Sequence, residues 1–171
     1  MDQDQEFEDF AKRWPDLMQK SQQDYIGVGS GWHHIIDALF GMLSRDVERA
    51  RYQVKYASEN PLNRYATKSL EELEAELETA LEQLPTIVQI KEKFGGLRVY
   101  TNGITETHHA YIDFASAMAS RTCEVCGSPG ESRNTGWVKT LCDKHHKERE
   151  EANADREASV KRVKVPKLSD E

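Results

Sequence analysis

The sequence predicts an α+β protein in which N-terminal helices precede a β-hairpin with a helix packed on it and a small cysteine-rich module. Three observations predict this fold class. Leucines recur every three or four residues between Leu70 and Leu84, and apolar residues alternate with period two around Gly95-Gly96. All three cysteines lie within RTCEVCGSPGESRNTGWVKTLCDKHHKE. The expected boundaries are a helical region at 1–84, the hairpin and helix at 85–120, the cysteine module with a C-terminal helix at 121–158 and a flexible tail at 159–171.

The composition limits the size of the core and the class of partner. The chain has 171 residues, 37% hydrophobic and 31% charged, which suits one domain or one domain with a small module. A formal net charge of −7 excludes a generally basic nucleic-acid-binding coat but leaves room for a local basic patch. No apolar run approaches the roughly 18 residues that span a bilayer, so we expect no membrane partner. The acidic start MDQDQEFEDF lacks the positively charged, apolar and small-residue regions that follow one another in a signal peptide. An odd number of cysteines also fits disulfide pairing poorly, so we expect a reducing, cytoplasmic setting.

One break and one apolar stripe predict the first helices. The segment EFEDFAKRWPDLM is typical of a short helix interrupted at Trp14-Pro15, because the residue before a proline avoids helical geometry. A second helix follows the loop GVGSGW at 27–32, with an apolar stripe at Trp32, Ile35, Ile36, Leu39, Leu43 and Val47. Glycines before a helix can bind phosphate, but the lysine and Ser/Thr of a phosphate-binding loop are missing, so we expect a flexible turn. His33, His34 and Asp37 can bind a metal or act as acid and base, although capping and solvation explain them more simply.

The clearest helix in the chain is SLEELEAELETALEQLP. Ser69 and Glu72 form a capping box at its start, and Pro85 follows its end. A heptad-like seam runs through Leu70, Leu73, Leu77, Leu81 and Leu84. We expect this seam to pack against the preceding helix as an antiparallel hairpin, or against a second copy of the chain by self-association through the Leu70–Leu84 helix.

A β-hairpin is predicted for TIVQIKEKFGGLRVYTNG, with Gly95 and Gly96 as a two-residue loop. The residues paired in that register are Phe94 with Leu97, Lys93 with Arg98, and Lys91 with Tyr100. One face is then apolar, with Val88, Ile90, Phe94, Leu97 and Val99. The opposite face carries Lys91, Lys93, Arg98 and Tyr100, which can bind phosphate or an acidic partner. An ordinary solvated sheet face is the simpler interpretation. The next helix, TETHHAYIDFASAMASR, begins with His108 and His109, which we interpret as surface or helix-start residues.

The cysteine spacing predicts a metal site. Cys123-x2-Cys126 is followed after fifteen residues by Cys142-x2-His145, and two such pairs provide the tetrahedral sulfur and nitrogen ligands that structural Zn²⁺ prefers. The order of turn, hairpin and helix carrying the second pair is that of a treble-clef-like zinc knuckle. His146 is the alternative ligand or a residue that orients one. A redox CxxC pair requires a helix directly after it, where Gly-Ser-Pro-Gly stands here, and the spacing disfavours three merely buried cysteines.

The same segment raises the question of an enzyme. TLCDKHHKE is similar to the last part of HNH nucleases, which place a His-His or Asp-His general base between the two metal-binding pairs. No histidine lies between Cys126 and Cys142, where only Asn134 is available, and His108 and His109 precede the first pair. Four protein ligands also leave no open position to activate water. We therefore expect a structural zinc ion and no catalytic residues. Trp137 is expected to pack over the metal site, or else to insert into a partner.

The second half of the chain resembles a family of small phage and prophage proteins that mostly lack an assigned function. The resemblance rests on IKEKFGGLRVY, with KEKFGGLR at its centre, and on CEVCGSPG...R...GW.KTLCDKHH, with a weaker echo in GWHHIIDAL. It implies a phage origin and a zinc-stabilised fold, and it carries no catalytic residues.

These observations favour a non-enzymatic, zinc-stabilised binding protein of phage type that engages a host macromolecule, with a host protein as the expected partner and inhibition of a host or defence system as one outcome. A phage-encoded chain would act in the host cytoplasm. The alternative is a nucleic-acid-binding zinc-finger protein that uses Lys91, Lys93, Arg98 and the basic tail, with Lys161, Arg162, Lys164 and Lys167. The second alternative is a degenerate HNH-like metal-dependent nuclease.

Overall fold

The computed structural model describes residues 3–22 and 25–162 and has the α+β fold that the sequence predicts. The helices are α1 (Gln3–Arg13), α2 (Pro15–Gln19), α3 (His33–Leu43), α4 (Arg45–Glu59), α5 (Leu70–Glu82), α6 (Glu106–Ala119) and α7 (Asp143–Arg162), with a 3₁₀ turn at Ser30–Trp32. The strands form two antiparallel hairpins, β1 (Thr86–Lys93) with β2 (Gly96–Asn102), and β3 (Glu131–Thr135) with β4 (Trp137–Leu141). The tail residues Lys164 and Lys167 lie outside the described residues.

The helix boundaries follow from local chemistry. Pro15 starts α2 directly after the break at Trp14, at a position where a missing backbone N–H costs nothing. The stripe that begins at Trp32 is buried as predicted, but it is divided between α3 and α4, which meet at Ser44. Most of the large apolar side chains of α3 are buried in the core, together with residues of α1, α2, β1, β2 and α6.

The leucines of α5 pack against other parts of the same chain. The capping box of Ser69 and Glu72 is present, and α5 packs against α4 and the core. Leu73 and Leu84 are buried, whereas Leu70 at the start of the helix is 41% exposed. The expected pairing with the preceding helix therefore accounts for the seam, and self-association stays a prediction.

The turn of the first hairpin differs from the predicted one by one residue. Lys93 pairs with Gly96, so the two-residue loop is Phe94-Gly95, and Lys91 pairs with Arg98. Phe94 and Gly95 have φ values of 53° and 73°, as a type I′ turn requires. The predicted Gly95-Gly96 loop is wrong because left-handed backbone geometry usually favours glycine, whereas a phenylalanine occupies one of the two loop positions here. The new register keeps Lys91, Arg98 and Tyr100 on one face. A β-bulge between Ile87 and Gln89 leaves Val88 unpaired, and Ile87 is buried in the core instead, so the prediction of Val88 on the apolar face is wrong.

Phe94 itself was placed wrongly on the apolar face. Its side chain is 69% exposed at the turn, whereas Ile90 and Leu97 of the inner face are fully buried. Helix α6 packs against β2 and α3 and covers that inner face. Among the described residues, no helix is both long and apolar enough to cross a membrane.

Candidate metal centre

Four donor side chains converge where the second hairpin meets α7. Cys123 and Cys126 lie in the turn after α6, Cys142 lies between β4 and α7, and His145 lies in the first turn of α7. Their donor atoms all lie within 4.8 Å of one another. Cys123 Sγ is 3.4 Å and Cys142 Sγ is 3.3 Å from His145 Nδ1, and the Sγ atoms of Cys126 and Cys142 are 3.9 Å apart.

These distances fit a tetrahedral metal ion. Zinc–sulfur bonds of about 2.3 Å and zinc–nitrogen bonds of about 2.0 Å put ligand sulfurs about 3.8 Å apart and sulfur and nitrogen about 3.5 Å apart. These three separations agree with those values to within a few tenths of an ångström. The cluster can therefore hold a metal ion with four protein donors. His145 presents Nδ1 to the sulfurs, and its Nε2 lies 3.8 Å from a Glu148 carboxylate oxygen.

The two thiols of the first pair differ electrostatically. Burial raises the pKa of the Cys123 thiol, although backbone N–H groups, including that of Cys142, partly oppose this shift. The side chain and backbone of Ser128 hydrogen-bond to Cys126 Sγ and lower its pKa to about 6. Because the thiolate is the form that binds metal, Cys126 is poised to bind at neutral pH.

His146 points away from the donor cluster. Its Nε2 lies 3.6 Å from Glu150, its Nδ1 is buried without a hydrogen-bond partner, and its backbone N–H donates to the Cys142 carbonyl. The four donors brought together by the fold are thus those of the predicted Cys-x2-Cys and Cys-x2-His pairs, with His145 rather than His146.

The GVGSGW loop packs directly on the turn that carries the first cysteine pair. Gly31 N donates to the Glu124 carbonyl at 2.9 Å, and the buried Trp32 indole donates to the Thr122 carbonyl at 2.7 Å. A Cβ atom on Gly31 would lie 2.2 Å from the Cys123 carbonyl oxygen. The glycine is therefore required for close backbone contact, and the expected flexible turn is instead a packed joint.

A buried charge network beside this joint was missed by sequence analysis. Lys139 Nζ lies 2.9 Å from a Glu92 carboxylate oxygen and 2.6 Å from a Glu124 carboxylate oxygen, and both carboxylate side chains are 9% exposed. Burial raises the pKa of Glu92, but hydrogen bonds from Lys139 and the Gly95 N–H outweigh it and the net shift is downward. Burial lowers the pKa of Lys139, and its two carboxylate partners reverse this to a net upward shift. One sequence feature indicates this network: Glu92 places a carboxylate at a position of β1 where the alternation predicts an apolar side chain, and such a buried carboxylate requires a cation.

The four candidate partner-binding residues share the outer face of the first hairpin. Lys91 Nζ lies 5.2 Å from the centroid of the Tyr100 ring, and Lys93 Nζ lies 5.4 Å from that of Phe94. Arg98 donates to the Leu97 carbonyl at 3.0 Å. None of the three cations forms an ion pair with any described residue.

Two of the remaining candidate histidines, His33 and His108, have local partners. His33 Nε2 lies 3.6 Å from Glu6, and Asp37 accepts from Trp14 and pairs with Arg13. His108 closes a capping box with Thr105 at the start of α6, and burial lowers its pKa. These groups do not join the donor cluster.

Trp137 does not cover the metal centre. Its side chain is 62% exposed and has no described contact with the four donors, so the expected packing over the cluster is not observed. Comparison of the chain with protein-family models, curated proteins and solved structures finds no match. The interpretation of the site therefore rests on its own geometry.

Proposed function

We propose that the four-donor cluster binds one structural Zn²⁺ and that the chain is a non-enzymatic binding protein of phage type that engages a host macromolecule. Three thiolates and one imidazole form the soft ligand set that zinc prefers. The phage assignment rests on the resemblance of KEKFGGLR and the cysteine module. Bound zinc would hold the turn after α6 and the start of α7 in one place, and four protein donors would leave no position for a reacting water.

Zinc binding is tested by metal content and stability together. The wild type should contain one zinc per chain, and chelation should unfold the cysteine module because binding energy at such sites is folding energy. Cys126→Ser should lose zinc and melt at a lower temperature, while the exposed control Ser132→Ala in β3 should retain both properties. Undiminished stability of Cys126→Ser without zinc would refute the structural role.

One observation supports a binding function in particular. Lys91, Lys93 and Arg98 project from one face of a β-hairpin, unpaired among the described residues, although the chain has a formal net charge of −7. An acidic protein has carboxylates available to pair its surface cations, so a group of cations without carboxylate partners among the described residues suits an external anion. Arg98 can bind a carboxylate or phosphate through two parallel hydrogen bonds.

The test compares two charge reversals in capture experiments from host lysate. Arg98→Glu alters the hairpin face, and Arg64→Glu alters an exposed arginine in the α4–α5 connection as a matched control. A captured species should be lost with Arg98→Glu and retained with Arg64→Glu. If both variants capture the same species as the wild type, the hairpin face is not the binding surface.

A further inference from the structure

We propose that the hairpin surface, defined as Lys91, Lys93, Phe94, Arg98 and Tyr100, binds single-stranded nucleic acid. This inference deepens the proposed function, on which it rests, by naming the class of macromolecule. The observation that supports it is that three cations without carboxylate partners among the described residues share one hairpin with two exposed aromatic rings.

The cations provide contacts for a phosphate backbone. Lys91 and Arg98 are paired across the two strands, and Lys93 lies on the same face one step nearer the turn. The three positive groups therefore form a compact triangular patch, with two cations on β1 and one beside them on β2. Such a patch can contact neighbouring phosphates of one strand, and binding should weaken as salt rises because each neutralised phosphate releases counterions.

The rings provide surfaces for unpaired bases. Phe94 is 69% exposed and Tyr100 is 44% exposed, and each has a lysine ammonium within 6 Å of its centroid. Rings interleaved with cations are the arrangement that binds single strands without sequence preference, because every base has a face that can stack. A duplex keeps its bases stacked internally, and an acidic peptide requires only the cations. The two rings therefore favour a single strand.

The backbone of Phe94 is the most informative feature of this surface. It has a φ of 53°, in the left-handed region that favours glycine and asparagine, at the first central position of a type I′ turn. A bulky side chain there strains the fold, and an exposed ring contributes little to the core. Stability alone would select asparagine or glycine at this position. A strained and exposed phenylalanine indicates that its ring serves a partner.

The experiment measures binding of the full-length, metal-loaded chain to a fluorescently labelled single-stranded oligonucleotide of about 15 residues, a length within the range of such sites. For the wild type, a plot of the logarithm of the binding constant against the logarithm of the salt concentration should have a slope of about −2. About three phosphate contacts to a single strand predict this value. Phe94→Asn should weaken binding about tenfold while the melting temperature stays the same or rises. Arg98→Glu should weaken binding, and Arg64→Glu should leave it unchanged.

The control ligands are a duplex of equal length and an acidic polyglutamate peptide. Tighter binding to the single strand than to either supports the inference. Equal binding to polyglutamate, no binding to any oligonucleotide at about 50 mM salt, or unaltered binding by Phe94→Asn would overturn it. If a host protein is still captured in an Arg98-dependent manner while the oligonucleotide fails to bind, the proposed function survives and only this inference falls.

Discussion

Replacing Gly31 by alanine tests the contact between the GVGSGW loop and the metal centre. The added Cβ would lie 2.2 Å from the Cys123 carbonyl oxygen, 2.6 Å from Gly127 N and 2.7 Å from Cys126 N, where ordinary contact begins at 3.4 Å. All three atoms belong to the backbone of the turn that carries the first cysteine pair. They cannot rotate away as a side chain can, so the loop and the turn must separate.

The cost of that separation follows from the elements it disturbs. Overpacking of a tight site costs typically about 1–3 kcal/mol, and we expect about 3 kcal/mol here because the displaced atoms are backbone. Separation also strains the hydrogen bond from Gly31 N to the Glu124 carbonyl and that from the Trp32 indole to the Thr122 carbonyl. The loop contacts the turn that carries Cys123 and Cys126 in the geometry that binds metal. The same cost of about 3 kcal/mol should therefore weaken zinc binding by about 100-fold.

Two assays are needed. Denaturant unfolding of the metal-loaded protein measures its stability, and competition between the folded protein and a chromogenic zinc chelator measures its zinc affinity. Gly41→Ala is the control, since its new Cβ would meet only the edge of the Trp14 side chain at 3.2 Å. Alanine also favours the helix at position 41 by about 1 kcal/mol, so the control should be close to neutral. A Gly31→Ala protein with wild-type stability and zinc affinity would refute the packed joint.

Three further predictions concern the groups around this joint. Lys139→Met should lower the free energy of unfolding by about 3–5 kcal/mol in denaturant titrations, because it leaves the Glu92 and Glu124 carboxylates buried without their cation; a loss below about 1 kcal/mol would contradict this. Since the folded-state pKa of Glu92 is depressed, its contribution is present above the ordinary value of 4.5 and is lost as pH falls through the folded value. Unfolding measured from pH 6 to pH 3 should therefore show a smaller acid-dependent loss for Glu92→Gln than for the wild type, and parallel curves would exclude the shift. Trp32→Phe should cost about 1–3 kcal/mol in thermal and denaturant unfolding by removing the donor to the buried Thr122 carbonyl, and a neutral result would show that the bond is dispensable.

Local patterns predicted the features that depend on neighbouring residues. Contacts between residues a few positions apart produce three of these patterns: the leucine spacing of Leu70–Leu84, the capping box, and the alternation of apolar and polar residues in β1 and β2. The structure has the corresponding helix and hairpin. The two Cys/His pairs are also local, and a hairpin of matched length brings them together.

The features that sequence analysis missed depend on distant segments. Lys139 lies 47 residues from Glu92, and Trp32 lies 90 residues from Thr122. No periodicity connects such positions, so the packed role of GVGSGW could not be read from glycines that equally suit a flexible turn. The shifted turn at Phe94 has a different origin. There the chain departs from the local preference for glycine or asparagine, and such departures are expected at functional positions.

The most direct test of the central claim is X-ray absorption spectroscopy at the zinc edge on the purified protein, combined with its metal content. A structural zinc predicts one ion per chain, with three sulfur neighbours at about 2.3 Å and one nitrogen neighbour at about 2.0 Å. A protein without stoichiometric metal, or an ion with an oxygen neighbour in place of one of these donors, would contradict it.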